Sequence, residues 1–229
     1  MRRHMFRWSP ARIIAGAFGS ISFIGSILLY LPWGHMPGQS ITYVDALYTA
    51  VSALCVTGLS IVDTAAVFNP FGQAILAVLI QVGGLGVSTM GAGVLLMLGR
   101  KVGIRQRNLI HDTMNLDSYS GVVRFLRTLF ATTVFIEIIG AFLGYFVFRR
   151  DYEMMESIGL SIFHSISSFN NAGLTILTKE RSMEMYAEDP FMLILTTALV
   201  FVGGLGFIVI RECWVNRFRW RKLSMHSRV

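Results

Sequence analysis

The sequence predicts an all-α integral membrane protein made of two tandem units. Each unit is a helix, a re-entrant pore helix, a filter loop and a second helix, giving four transmembrane helices and two pore helices. Three observations lead there. Of the 229 residues, 54% are hydrophobic and 14% charged, with mean hydropathy +0.59, which is outside the range of soluble domains. Apolar runs at 12–32, 70–98, 123–148 and 190–210 are each long enough to cross a hydrocarbon core of about 30 Å at ~1.5 Å per residue. The third observation is an internal repeat, described below.

The first run, 12–32, is long, rich in Gly and aromatic residues and without a small-residue cleavage site, so a retained helix is expected and not a removed leader. The net charge of +7 and pI near 9.8 would suit a nucleic-acid binder if the charges shared a face. They follow the membrane instead. Arg2, Arg3, Arg7 and Arg12 precede the first run; Arg100, Lys101, Arg105, Arg107, Arg124 and Arg127 separate the second from the third; Arg211, Arg217, Arg219, Arg221, Lys222 and Arg228 follow the fourth. These are 16 of the 20 Lys and Arg, while nine of the 13 Asp and Glu fall in the intervening segments. The positive-inside rule makes the basic segments and both termini cytoplasmic. The expected organisation is a cytoplasmic N-terminus 1–11, a first membrane-pore-membrane unit 12–98, a basic loop 99–122, a second unit 123–213 and a basic tail 214–229. Cys55 and Cys213 then lie toward opposite faces, and no disulfide is expected.

The repeat sets the internal architecture. Asn69-Pro70-Phe71 opens the second run and Asp189-Pro190-Phe191 the fourth; a Val-Gly-Gly-Leu-Gly core follows each, at 82–86 and 202–206, with Pro to first Gly 13 residues in both. A short polar residue before Pro is the order of an N-cap and first helical position. Upstream of each helix lies a shorter apolar stretch ending in a small-residue turn. Placing Gly58 over Gly173 superposes Leu47 on Ile162, Tyr48 on Phe163, Val51 on Ile166 and Ser52 on Ser167. A dozen apolar residues cannot cross the bilayer, so the stretch is expected to re-enter from the outer side. Irregular backbone at membrane depth survives only where it is buried in protein or lines a water-filled cavity.

A half-helix ending inside the membrane directs the negative end of its dipole at the turn, which favours a cation. The turn can present backbone carbonyls in place of a hydration shell, and glycine allows the left-handed conformations that aim them. Cys55, Val56, Thr57 and Gly58, with Asn170, Asn171, Ala172 and Gly173, are the candidate ion-binding residues. Neither turn holds Asp or Glu, so dipoles and not a ring of charges would do the binding. One of the two asparagines is expected to brace its turn by local hydrogen bonds. Gly83, Gly84, Gly86, Gly203, Gly204 and Gly206 are candidate helix-packing positions. They do not suit a dinucleotide, because no strand precedes them and no acidic residue follows at the required distance. Small-residue spacing at Gly16/Ser20 and Ser22/Ser26 suggests close approach of the first helix as well.

Two titratable residues fall at membrane depth. Glu137 fits either an ion or proton relay or a hydrogen-bonded contact to a neighbouring pore helix; it stands alone in the sequence, which favours the contact. His164, on the second short stretch, is expected to be a packed neutral imidazole. The five histidines show no metal-ligand spacing and no nucleophile pairs with a base, so neither a cofactor nor an enzyme is expected.

Ser-Ala-Leu-Cys-Val-Thr-Gly-Leu at 52–59, Phe-Asn-Asn-Ala-Gly-Leu at 169–174 and the Gly-Gly-Leu-Gly segments at 83–86 and 203–206 resemble the first two of four membrane-pore-membrane units in the Trk/Ktr/HKT potassium transporter superfamily. The resemblance implies four non-identical units around one pore, each giving one filter glycine, here Gly58 and Gly173. The short segment before the first helix is similar to the Ktr branch. That implies potassium uptake stimulated by sodium, a homodimer of full-length subunits in the bacterial inner membrane, and a cytosolic ring of nucleotide-binding regulatory subunits as partner. The third and fourth units of that family, with its intramembrane gating loop, have no counterpart in these 229 residues. A non-conducting assembly fragment and a passive potassium channel are therefore the alternatives.

Overall fold

The computed structural model describes residues 10–86, 89–90, 122–177, 183–205 and 209. The basic loop, the basic tail, Gly206 and Cys213 lie outside them. Seven α-helices order the described chain: α1 Pro10–Tyr30, α2 Tyr43–Leu54, α3 Thr64–Val67, α4 Pro70–Leu85, α5 Val122–Phe148, α6 Met154–Phe169 and α7 Pro190–Gly204. Among the described residues there is no strand beyond one isolated bridge between His35 and Phe68.

Helix starts are set by local chemistry. Thr42 and Asp45 form a capping box on α2, and Asp63 accepts from Ala65 and Ala66 N–H to start the single turn of α3. Asn69 and Asp189 accept from the second and third N–H groups of α4 and α7, each with Pro at the first position. These side chains replace partners that the first helical turn lacks. Asn69 also donates to the Trp33 and His35 carbonyls at 2.8 and 3.1 Å, which ties the loop after α1 to the start of α4.

Two helices, α1 and α5, are long and apolar enough to cross a bilayer. Both turn much of their apolar surface outward: Phe23, Ile24, Phe135, Ile138 and Phe142 are each more than half exposed. An apolar helix that exposes such a face requires an apolar solvent. Helices α4 and α7 are apolar but have 16 and 15 residues. The continuous helix expected over 70–98 is corrected here. α4 stops at Leu85, where Gly86 takes φ 82° and its N–H closes on the Gly83 carbonyl at 3.0 Å. A left-handed residue after the last turn ends a helix because its N–H folds back onto the final carbonyls. Helical backbone is present again at 89–90.

One core joins the two units. Leu29, Ala50, Ala53, Phe68, Leu76 and Ile80 of the first unit pack in one cluster with Phe148, Phe163, Leu195 and Leu199 of the second. Within each unit the helix that precedes the turn packs on both others, α2 against α1 and α4, α6 against α5 and α7. In the small-residue pairs of α1, a Cβ on Gly16 would meet no described atom within 4 Å, whereas Ser26 is fully buried and reaches the Phe23 carbonyl at 2.8 Å and the Tyr43 hydroxyl at 3.2 Å.

The glycine pairs of α4 and α7 let the short helices come close. A Cβ on Gly83 would overlap the Leu54 carbonyl, and a Cβ on Gly203 the Phe169 carbonyl, the last residues of α2 and α6. Backbone cannot yield as a flexible side chain does, so Gly83→Ala and Gly203→Ala are expected to destabilise the protein by about 1–3 kcal/mol, as overpacking does. Gly204, whose nearest described neighbour is the Asn171 amide at 3.9 Å, is expected to accept Ala. Thermal unfolding of the purified protein in detergent checks the contrast; equal losses at 203 and 204 would contradict the packing described here.

The ends of α5 and α7 are linked by Arg150 Nη1 to Asp189 Oδ2 at 2.6 Å. The Met192 N–H, then the Phe191 N–H and the Arg150 charge, hold the Asp189 carboxyl below its usual range against a smaller opposing effect of desolvation. A depressed carboxylate contributes stability above its unfolded pKa and loses it as pH falls through the folded value. Asn69 does the same capping work uncharged, so Asp189→Asn should keep the cap while removing this acid-side loss, and Asp189→Ala should lower stability at neutral pH too. Melting curves across acid to neutral pH test both.

Candidate ion-coordination site

The four residues after α2 and the four after α6 form the same turn. Cys55 N–H bonds to the Val51 carbonyl at 2.8 Å, Val56 to Ala53 at 3.3 Å and Thr57 to Ser52 at 3.0 Å. In the second unit Asn170 bonds to Ile166 at 3.0 Å, Asn171 to Ser168 at 3.1 Å and Ala172 to Ser167 at 2.8 Å. Each N–H of one turn has its partner at the equivalent position of the other. A serine then closes each turn from the inside: Ser52 Oγ donates to the Leu59 carbonyl at 2.5 Å and Ser167 Oγ to the Leu174 carbonyl at 2.6 Å.

The backbone between these pins is left-handed at alternate residues. Val56 has φ 55° and Gly58 φ 75°; Asn171 has φ 58° and Gly173 φ 67°. Such alternation lets successive carbonyls face one side of the chain. Sequence reasoning named all eight residues but expected the left-handed backbone only at the glycines, not at Val56 and Asn171. Asn is a tolerant residue for this region, but a β-branched valine is strained there, and nothing in its identity announces it.

All of the bonds above use N–H groups or the serine hydroxyls. No described group donates to the carbonyl oxygens of Cys55, Val56, Thr57 or Gly58, nor to those of Asn170, Asn171, Ala172 or Gly173. The Thr57 hydroxyl turns back to α2, within 3.2 Å of the Ser52 carbonyl and 3.1 Å of the Ser52 hydroxyl, so it offers no ligand forward. The two turns meet at their glycines. A Cβ on Gly58 would stand 2.7 Å from the Ala172 carbonyl oxygen, and one on Gly173 would stand 3.7 Å from Gly58 Cα. Eight carbonyls in two adjacent turns, each following a helix C-terminus, make a region of negative potential without a formal charge.

The asparagines part ways. Asn170 is buried, and its amide nitrogen lies 3.0 Å from Gln81 Oε1, 3.2 Å from Glu137 Oε1 and 2.9 Å from the Ile166 carbonyl. Asn171 is exposed, its amide beside Gly203 and Gly204. Glu137 is therefore a hydrogen-bonded neighbour of the second turn. His164 Nε2 sits 3.0 Å from Thr196 Oγ1 and 3.4 Å from Ser168 Oγ, its ring on edge to Phe148, which joins α6 to α7. Among the glycines named from the sequence, Gly83 and Gly203 face the short-helix ends, Gly84 faces Asn170, Gly204 is open, and Gly86 ends α4. Among the described residues no three His, Cys, Asp or Glu side chains converge as metal ligands would. Cys55 is exposed and free.

Residues 10–225 match the TrkH family of cation transport proteins. The Ktr system potassium uptake protein B of Bacillus subtilis is 34% identical over 223 residues, covering 97% of this chain and 49% of that protein. The potassium/sodium uptake protein NtpJ of Enterococcus hirae is 35% identical over 223 residues, with 97% and 49% covered. The Ktr system potassium uptake protein B of Vibrio alginolyticus is 35% identical over 235 residues, with 100% and 50% covered. The chain spans about half the length of the curated relatives it matches. It belongs to the TrkH family of cation transport proteins.

Proposed function

We propose that this chain contributes two filter segments to a pore for potassium uptake across a bacterial cell membrane. The observation that carries the reading is the duplicated turn, with its carbonyls free of described donors and its two glycines in contact. A backbone carbonyl without a partner is costly in lipid, which leaves an aqueous or ion-filled passage as the place for eight of them. The names of the relatives supply the ion: two are potassium uptake proteins and one a potassium/sodium uptake protein. Potassium is the substrate in this reading, with sodium as the competing or stimulating ion.

In the same reading α2 and α6 are re-entrant. At ~1.5 Å per residue their 12 and 16 residues reach about 18 and 24 Å, short of the roughly 30 Å core. Both would enter from the outside, with the basic loop and both termini in the cytoplasm, where the loop meets a regulatory partner. One set of variants checks orientation and docking together. Cysteines introduced at the exposed Ala66 and at Ser182 should react with an impermeant reagent from outside, and reversing Arg105 and Arg107 to Glu should weaken capture of the cytosolic partner. Labelling only from inside, or unchanged capture, would remove the corresponding part.

Selectivity tests the filter itself. Gly58→Ser has two consequences: a side chain at φ 75°, and a Cβ against the Ala172 carbonyl. Gly173→Ser has the first alone, its nearest neighbour being Gly58 Cα at 3.7 Å. A Cβ in the left-handed region costs roughly 1–2 kcal/mol, so each variant should relax potassium preference over sodium by about tenfold or more, with Gly58→Ser the more severe. Potassium-limited growth and sodium competition should be measured in cells lacking their own potassium transporters, with all filter segments present and protein levels matched. Lower abundance with unchanged ion preference would mean that these glycines serve packing only.

A further inference from the structure

A buried polar cluster lies behind the second turn and has no equivalent behind the first. Its members come from three helices: Gln81 on α4, Glu137 on α5 and Asn170 at the end of α6. Glu137 is 9% exposed and Asn170 8%. The Asn170 amide has two N–H bonds and three oxygens within reach, those of Gln81, Glu137 and Ile166, while its own oxygen has no partner. The side chain is thus held through its nitrogen. Gly84 leaves the space it occupies, since a Cβ there would overlap Asn170 Oδ1. Ser165 Oγ donates to the Glu137 backbone carbonyl at 2.8 Å, which fixes α5 at that height against α6.

The first turn has no such side-chain clamp behind it among the described residues. Cys55 stands at the position of Asn170 and is exposed, and Phe201 stands at the position of Gln81 and is also exposed. The packing asparagine is therefore an addition to the common turn. An ionisable side chain at membrane depth is expensive, and it is tolerated there when its hydrogen bonds are made. Asn170 precedes the left-handed Asn171 and caps α6 through its backbone. Whatever fixes its side chain fixes the residue from which the turn departs.

We propose that Glu137 is a positioning residue for the second filter turn: its carboxylate, with Gln81, holds the Asn170 amide and so sets where the carbonyls from Asn170 to Gly173 stand. The proposal rests on the filter reading above. It is neither a proton relay nor a direct ligand role, because the only described side-chain contacts of the carboxylate are amides, Asn170 and Gln81.

The test compares Glu137→Ala, Glu137→Gln, Asn170→Ala and the double variant Glu137→Ala/Asn170→Ala in the transporter containing this chain, with all filter segments present. Surface abundance and the ratio of potassium to sodium uptake are both read. Glu137→Ala should lower the ratio about tenfold, the size of one buried hydrogen bond. Glu137→Gln, whose amide oxygen still accepts from Asn170, should restore the ratio to within about twofold of the parent. The double variant should be no worse than Asn170→Ala, because a residue acting through another adds nothing once that other is gone. Thr133→Val, one turn away on α5 and removing a buried hydroxyl without a partner, is the packing control and should leave the ratio unchanged. An unchanged ratio in Glu137→Ala overturns the proposal, and so does an equal loss in Glu137→Gln, which would assign the effect to charge. If Glu137→Ala fails to reach the membrane, Glu137→Gln and Asn170→Ala decide: a normal ratio in Asn170→Ala overturns it. Should Gly173→Ser change the ratio while these variants do not, the filter stands and the positioning role falls; if none changes it, the filter reading falls as well.

Discussion

The hydroxyl of Ser52 on the Leu59 carbonyl, repeated by Ser167 on Leu174, is the constraint on which each turn depends. The bond reaches from the last turn of a short helix to a residue seven positions on, so the chain must leave the helix and reverse within a few residues. Alternate left-handed residues make that possible, and the N–H groups of the turn are consumed by the last carbonyls of the helix. Donors are used up on the helix side while acceptors accumulate on the other. In water the imbalance would be trivial, because solvent would satisfy the carbonyls. At membrane depth it is decisive, because unpaired acceptors must be given something with positive charge or with hydrogens.

Holding such a turn in place is a problem of close approach. Between helices in lipid the hydrophobic effect supplies little, so packing and polar contacts must do it. The glycine pairs divide the work. The first glycine, Gly83 or Gly203, admits the final carbonyl of the short helix in its own unit; Gly84 admits Asn170 from the other unit. The hydroxyl of Thr64, which donates to the Thr175 carbonyl, adds a second cross-unit tie. One core then follows from the interlocking of the units.

Much of this was legible in the residues because it is local or repeated. The Asn-Pro and Asp-Pro starts act within one turn, and α4 and α7 begin where they indicate. Superposing Gly58 on Gly173 aligned Ser52 with Ser167 and Val51 with Ile166, and the hydrogen bonds later matched at those same positions. Other features were not legible, for physical reasons. Gly86 belonged to an apolar run long enough for one helix, and apolarity carries no information about where a left-handed residue ends it. Val56 is left-handed because loop closure imposes it, against its own preference. The grouping of Gln81, Glu137 and Asn170 joins positions far apart in the chain, where neither periodicity nor spacing leaves a trace.

The two turns are alike in backbone and unlike in what stands behind them, and in the proposed pore that difference is consequential. Identical turns would give a ring of equal ligands, each free to relax in the same way around an ion. Here the first turn ends its helix with an exposed cysteine, and the second with an asparagine fastened to two neighbouring helices. The stiffness of the ring is therefore set unevenly. Because Gln81 belongs to the first unit and Asn170 to the second, the anchor of the second turn moves with the first unit's helix α4. Any displacement of α4 that shifts Gln81 or Gly84 must be felt at Asn170, while a displacement of α7 meets no such tie at the first turn among the described residues. The side-chain tie from α4 to the second turn is thus one amide, with no counterpart from α7 to the first turn among the described residues.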